Sequence, residues 1–391
     1  MGLAIRIVTR LFGIIVAILY LQRCQFVAGN DDDNDEDDSD DEWRSDHEYN
    51  LWNTRVEFDV DSLSGDPHDA ASYAVERLTG DLKSRLSRIF EKTKTSECRE
   101  LISEHFGYFI QAFAIEESLP FLEYKFTNQC EGDVEYDFDN LPEGMNLGHI
   151  QARTYQPPRN ETEYISFAEV ALCYAILAHD NAASAIRLIE ALDEPTTVFV
   201  IHVDAKYDET YAELQQYAMN RTRVHILGDE YRVRVNWGGF SMVNATLQMI
   251  NYADRHFPDF THFAHMAATC YPIASNRRIR NTLASYPKDA NFMHVILKPT
   301  RPGRSIWNYY VECDDQVHRI YQLQPLRKEV SGVDQYTASQ WFILSREFTK
   351  YLANPEPGTF LYEFLEYIPH VVVADETFFG TVLRNTPFCH K

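Results

Sequence analysis

Several signatures are missing from this chain, and each absence closes off a chemistry. There is no GxGxxG and no GxxxxGK[ST], so neither a dinucleotide fingerprint nor a P-loop is present. There is no GxSxG and no HExxH, which removes support for serine hydrolases and zincins. No CxxC or Cys/His spacing suggests zinc. From Asp133 onward the one Asp-x-Asp is "DFD" at Asp137 to Asp139, in a breaker-rich stretch, so a divalent cation held by such a pair lacks support. Lys and Arg are scarce, 36 against 59 Asp and Glu. That balance argues against nucleic acid, because phosphate neutralisation needs clustered cations.

What is present begins with an acidic run. Ten of the negative charges lie between Asp31 and Glu42, and without them the net charge of −23 falls to about −13. Such a run fixes no coordination geometry and reads as a solvated linker. Before it, "MGLAIRIVTRLFGIIVAILYLQRCQFVAGN" carries Arg6 and Arg10, then an apolar run from Leu11 to Leu21. A bilayer span needs about 20 apolar residues. The segment 1–29 therefore reads as a signal peptide or, counted from Leu3, a signal anchor. Either reading places the rest in the secretory pathway, with membrane contact only through that anchor.

Six cysteines follow Cys24: Cys98, Cys130, Cys173, Cys270, Cys313 and Cys389. An even number in an oxidising compartment suggests disulfides, with fifteen pairings open. Asn160-Glu-Thr, Asn220-Arg-Thr and Asn244-Ala-Thr are glycosylation sequons.

The organisation expected is a disordered acidic linker at 30–50, a helical stem at 51–155 and one α/β domain at 160–391. In the stem, Val75, Leu78, Leu82, Leu86, Ile89 and Phe90 keep a helical spacing, and residues 70–125 read as helix. Pro142 to Pro158 supplies breakers, with a boundary at Pro157-Pro158. After Ile165 strand and helix alternate. "VALCYAILAHD" and "TTVFVIHVDAK" are buried strands, "RVHIL" a third, and "FTHFAHMAATCYPIAS" a fourth. This alternation implies a mostly parallel sheet flanked by helices. Such sheets bind ligands beyond the carboxyl ends of their strands. That rule points at His179, Asp204 with Lys206, Trp237-Gly238 and Cys270.

Each of these has a plain alternative. Asp204 is also a common turn starter. Asp180 fits an N-cap of the following helix. Trp237 suits core packing as well as a sugar or a base. Further on, "YYVECDD" offers Glu312, Asp314 and Asp315, and "SQWFILSREF" runs into a helix start. "VVVADETFFGTVLRNTPFC" reads as an apolar strand ending at Asp375-Glu376, then a helix. Acids at a helix start are favoured by its dipole alone.

The ordered series "CYAILAHD", "IHVDAK", "RVNWGGFS", "HMAATCYPIAS", "SQWFILSREF" and "ADETFFGTVLRNTPFC" resembles the core-2/I-branching N-acetylglucosaminyltransferase and peptide O-xylosyltransferase family, glycosyltransferase family 14. The likeness covers about Ser166 to Cys389, and "YYVECDD" and "DETFFGTVL" stand nearer its xylosyltransferase side. It implies a GT-A-like, Rossmann-like fold in the Golgi lumen. It implies inverting transfer of xylose or N-acetylglucosamine from a UDP-sugar to a hydroxyl of a glycan or protein, with a Glu general base and no obligatory metal. By the same resemblance Glu312 is the first choice of base, and Glu376 and Asp375 are base or acceptor-orienting groups. His179, Asp204, Lys206, Trp237 and Gly238 would line the uridine side.

Two departures set a rival expectation. Relatives carry an acid in the loop where this chain has Cys270, and a thiol does not replace a carboxylate as an acceptor. In an oxidising compartment Cys270 is expected as a buried thiol or a disulfide partner. By the resemblance, the family's diphosphate-holding cations lie beyond the segment that ends at Cys389, so either the domain is cut short there or the diphosphate is held otherwise. Lys298, Arg301 and Arg304 are the nearby basic residues on offer. A catalytically impaired glycan-binding or scaffold protein is the alternative function.

Overall fold

The computed structural model describes residues 83–115, 126, 128–130, 163–296, 308–322 and 335–391. The acidic linker, the segment 1–29, the Pro157-Pro158 boundary and the Lys298 to Arg304 cluster lie outside the described residues.

Apolar sequence runs become strands because both faces of the sheet are covered. In β1 (Leu172–Ala178) every residue except Leu177 is buried. It pairs in parallel with β2 (Thr197–Val203) on one side and β4 (His262–Ala267) on the other. β3 (Val224–Ile226) extends the parallel set beyond β2. Two antiparallel strands complete the sheet, β8 (Thr337–Ser345) against β4 and β5 (Phe292–Ile296) against β8. The order is β3-β2-β1-β4-β8-β5, a mostly parallel mixed sheet of the GT-A-like kind.

Strand alternation divides the core in two. Leu172, Tyr174 and Ile176 of β1 face a layer built by α2 (Ala182–Leu192), α3 (Asp208–Ala218) and α5 (Asn276–Leu283). Cys173 and Ala175 face the opposite layer, formed by α4 (Phe240–His256), α6 (Arg346–Ala353), α7 (Phe360–Tyr367) and α8 (Asp375–Arg384). Each fully buried large apolar side chain in these layers contributes about 1.5–3 kcal/mol relative to exposure.

Of the stretch expected to be a helical stem, the described residues 83–115 are helical in two pieces. A helical segment at 83–91 and α1 (Ser96–Ile115) are separated by residues 92–95. Leu86, Ile89 and Phe90 join Ile102 and Phe106 against a hairpin, β6 (Asn308–Cys313) with β7 (Gln316–Gln322). The break is a capping site: Oδ2 of Asp314 accepts from the backbone N–H groups of Lys94 at 2.6 Å and Thr95 at 2.8 Å. Asp314 and Asp315 form the two-residue hairpin turn with φ of 55° and 63°. That is the geometry a tight hairpin needs and one that Asn-Gly usually supplies.

Two disulfides fasten the N-terminal part to the sheet domain, Cys98–Cys313 and Cys130–Cys389. Cys173 and Cys270 carry buried thiols.

The sequence reading needs two corrections. The cap of α2 is Asn181, not Asp180: its Oδ1 accepts from the N–H of Ser184 at 3.0 Å. And "VVVA" is not a strand. Ile368–His370 is a 3-10 turn, and residues 371–374 continue as a buried turn in which Val373 has φ of 56°. Val371 packs into the larger core, while Val372 and Val373 pack with Tyr310. Periodicity alone does not separate a buried strand from a buried turn of the same composition.

Candidate active site

The carboxyl ends of β1, β2 and β4 lie side by side, because the N–H of Asp204 donates to Ala178 O at 3.0 Å and that of Ala268 to Leu177 O at 2.8 Å. His179, Asp204 and the loop at Cys270 therefore share one sheet edge.

Asp204 is buried, and its partners come from its own surroundings. Oδ1 accepts from the N–H groups of Lys206 at 2.9 Å and Val235 at 3.3 Å, and the Lys206 ammonium stands 3.6 Å from Oδ2. Lys206 also donates to Val235 O. The pair holds the segment that leads to Trp237. Two residues that the sequence reading passed over do the same. His202 Nε2 accepts from the Val233 N–H at 2.9 Å, which requires the neutral ring with its proton on Nδ1. Burial, helped by the Arg232 charge, holds the His202 pKa down to about 4. Arg232 donates to the carbonyls of Val203 and Asp204 and pairs with Asp208 and Asp229.

The pinned segment then turns sharply. Gly238 has φ of +73°, the left-handed region that a side chain strains to enter. The N–H of Asn236 donates to Ser241 Oγ at 2.8 Å, and that of Gly239 to Asn236 O at 3.0 Å. Trp237 is carried at the tip, 78% exposed, so it is not a core residue.

Into this turn comes Glu312 from the far side of the sequence. Its Oε1 accepts from Asn236 Nδ2 at 2.8 Å and its Oε2 from the Ser241 N–H at 3.0 Å, in the first turn of α4. Gly239 is the N-cap of α4, and a Cβ added there would stand 2.4 Å from the Glu312 Cδ. The second glycine of Trp-Gly-Gly is thus the space the carboxylate occupies. Helix N-termini favour such a charge. The carboxylate is half-buried, and each oxygen keeps a lone pair for another donor. Beyond it, Asp315 pairs with Arg234 at 3.1 Å.

The segment preceding Asp375 closes the site. Val373 N–H donates to Gly238 O at 2.7 Å, and His370 Nδ1 lies 3.1 Å from Tyr310 O on β6. Asp375 is buried and Glu376 half-buried, both in the first turn of α8. Glu312 is thus bonded to Asn236 and Ser241 on either side of Trp237-Gly238, and Gly238 to the approach to Asp375-Glu376. His179 is 51% exposed at the neighbouring strand end, against the Tyr207 ring.

Cys270 stands apart. Its thiol is turned into the α2–α5 layer with Ala264, Met266 and Leu283, so it does not line the exposed edge. Tyr271 and Ile273, next in sequence, are 67% and 55% exposed there. Among the described residues, two clusters have metal-ligand spacing, around His318 and His390. Both draw on disulfide sulfurs, which offer no thiolate.

The residues missed from sequence, Asn236, Ser241, His202 and Arg232, act through contacts 24 to 76 positions apart or on a single turn. A Ser two residues after a Gly pair, at a helix start, was the one local signal.

The sequence from 172 to 391, more than half of the chain, matches the family described as Core-2/I-Branching enzyme. Curated relatives include xylosyltransferase 1 of Rattus norvegicus, 23% identical over 242 residues, 61% of this chain and 28% of that one. Xylosyltransferase oxt of Drosophila pseudoobscura pseudoobscura is 27% identical over 208 residues, 52% of this chain and 23% of that one. Xylosyltransferase of Ciona intestinalis is 23% identical over 291 residues, 70% of this chain and 33% of that one. The chain thus spans 23% to 33% of the length of these relatives.

Proposed function

The chain belongs to the Core-2/I-Branching enzyme family, and on that premise we propose that it is an inverting glycosyltransferase acting on a UDP-sugar. The acceptor is a hydroxyl of a glycan or protein, and xylose and N-acetylglucosamine are the donor sugars to test first. The observation that carries the reading is the Glu312 carboxylate, fixed by Asn236 and the α4 N-terminus beside the exposed Trp237.

In this reading Glu312 takes the proton of the acceptor hydroxyl as its oxygen attacks the anomeric carbon. The bond from that carbon to the UDP oxygen breaks on the opposite face, which inverts the configuration. Trp237 offers a ring face to a sugar or base. His179 and Tyr207 border the donor side, while Asp204 and Lys206 shape the loop rather than reach outward. Asp375 and Glu376 orient the acceptor or stand in as base. The mechanism routes no step through a metal.

In this reading the catalytic domain runs over 160–391, after a stem. The two disulfides support an oxidising compartment. Among the described residues no helix is long and apolar enough to cross a membrane, and the segment 1–29, expected as signal or anchor, lies outside them.

A second reading has an observation in its favour. Both Glu312 oxygens already cap and brace the α4 turn, a role that a non-catalytic glycan-binding protein would also keep. Measuring UDP release and binding across a panel of UDP-sugars separates the two. Turnover with one donor is the expected result; neither release nor binding with any donor ends the enzymatic reading.

A further inference from the structure

Two of the three sequons fall on described residues, and the fold treats them oppositely. Asn244 lies inside α4, half-buried, and its Oδ1 accepts from Gln248 Nε2 at 3.0 Å. The threonine of that sequon, Thr246, is 1% exposed; its hydroxyl donates to Met242 O at 3.1 Å and lies 3.3 Å from His265 Nε2. A glycan on Asn244 would crowd a half-buried turn of α4 and the Gln248 side chain bonded to it.

Asn220 lies in the turn between α3 and β3, where Asn220, Arg221 and Thr222 are all exposed. The turn is held by backbone bonds, Arg221 N–H to Ala218 O at 2.8 Å and Val224 N–H to Arg221 O at 3.1 Å, so its shape does not depend on the sequon side chains. Arg221 is drawn aside over the Tyr217 ring, 4.0 Å from its centroid. We propose that Asn220 is an N-glycosylation site and that Asn244 is not one in the folded protein. The inference rests on the secretory reading above. The transfer joins Asn220 Nδ2 to C1 of an oligosaccharide carried on a lipid diphosphate. The C1–O bond to the diphosphate breaks, the lipid diphosphate leaves, and the amide nitrogen gives up one proton.

Transfer onto a nascent chain precedes folding, so the fold decides which glycan a native protein can keep. At Asn220 it costs no core contact. The glycan there stands beside the open edge of the sheet, where β3 is three residues long and Met219 is 76% exposed. A sheet edge left bare is a site of unwanted pairing.

The test uses the full chain made in N-glycosylating cells, with enzymatic deglycosylation in heavy-oxygen water and peptide mass spectrometry. The peptide 207–221 is expected to show Asn220 converted to labelled Asp. Asn220→Gln and Thr222→Ala should each remove one glycan's worth of gel shift, Thr222→Ser should keep it, and Asn244→Gln should change nothing. An unlabelled Asn220 in a chain whose Cys130–Cys389 bond has formed overturns the proposal while leaving the secretory reading intact. A labelled Asn244 in soluble, disulfide-bonded protein overturns it as well. An unlabelled chain with both cysteine pairs reduced overturns it together with the secretory reading.

Discussion

Oε2 of Glu312 accepts the backbone N–H of Ser241 at 3.0 Å, across 71 residues of sequence, over a glycine whose missing Cβ makes room for it. Strand β6 thus delivers a carboxylate to the first turn of a helix that it does not adjoin in sequence. The Trp-Gly-Gly turn, the hairpin and α4 behave as one unit.

Gly239→Ala should disturb that unit without touching the core. The new methyl group would meet the carboxylate and push it off the helix terminus. Misplacing a catalytic group by about 1 Å costs on the order of 10²-fold in rate. Gly238→Ala should act differently, through backbone strain at φ of +73°, costing about 1 kcal/mol or slightly more. Turnover and thermal unfolding measured on both variants should separate a rate effect at Gly239 from a stability effect at Gly238.

Removing the Cys98–Cys313 bond should loosen the hairpin that carries Glu312. The closed loop is long, with a sequence separation of 215. Loss of a native disulfide costs roughly 2–5 kcal/mol. A Cys98→Ser, Cys313→Ser double variant should unfold at lower denaturant and should turn over more slowly, since Cys313 follows Glu312 directly. Equal turnover in the two proteins would mean that the hydrogen bonds to Asn236 and Ser241 suffice.

Acid should destabilise the sheet through three buried imidazoles. Burial holds His202, His262 and His265 down to about 4, from 6.5. Because the folded values lie below the unfolded ones, the unfolded chain takes up protons first as pH falls. Their contribution is fully present above pH 6.5, declines between pH 6.5 and 4, and is lost below. Over that window unfolding should take up about three extra protons from these groups. Denaturation measured against pH should show a slope reduced by roughly one proton in His202→Gln, whose amide oxygen can still accept from Val233.

Cys270 divides the sequence expectation from the structure. Its thiol is buried among apolar side chains, so Cys270→Asp would bury a carboxylate there. Such burial costs several kcal/mol. Cys270→Asp should therefore lower the melting temperature well below that of Cys270→Ala. A melting temperature equal to wild type would mean that the loop can turn its side chain toward the exposed edge.

Much of the fold is readable from local sequence, because strands buried on both faces are written as continuous apolar runs. β1, β2 and β4 follow that rule, and the carboxyl ends of β1 and β2 carry His179 and Asp204. What escapes is non-local or lacks the usual residue. The Asp314-Asp315 turn adopts positive φ without glycine, and its reward is the cap it gives to residues 94 and 95. The turn at 371–374 has the composition of a strand. Asp204 is legible as a residue at a strand end, but its inward role appears only when Val235 returns to it. For Glu312 the sequence offers an acid beside a cysteine; its capture by Asn236 and α4 depends on the folded topology.

The most direct test is Glu312→Gln, with turnover and donor binding measured on the same preparation. Glutamine keeps the shape, and Asn236, whose Oδ1 is buried without a partner among the described residues, can turn its amide to accept from it. The account predicts UDP-sugar binding near the wild-type level and turnover lowered by about 10²–10⁴-fold, the usual worth of a general base. Turnover within a few-fold of wild type would contradict it and leave Glu312 as the brace of the α4 turn alone.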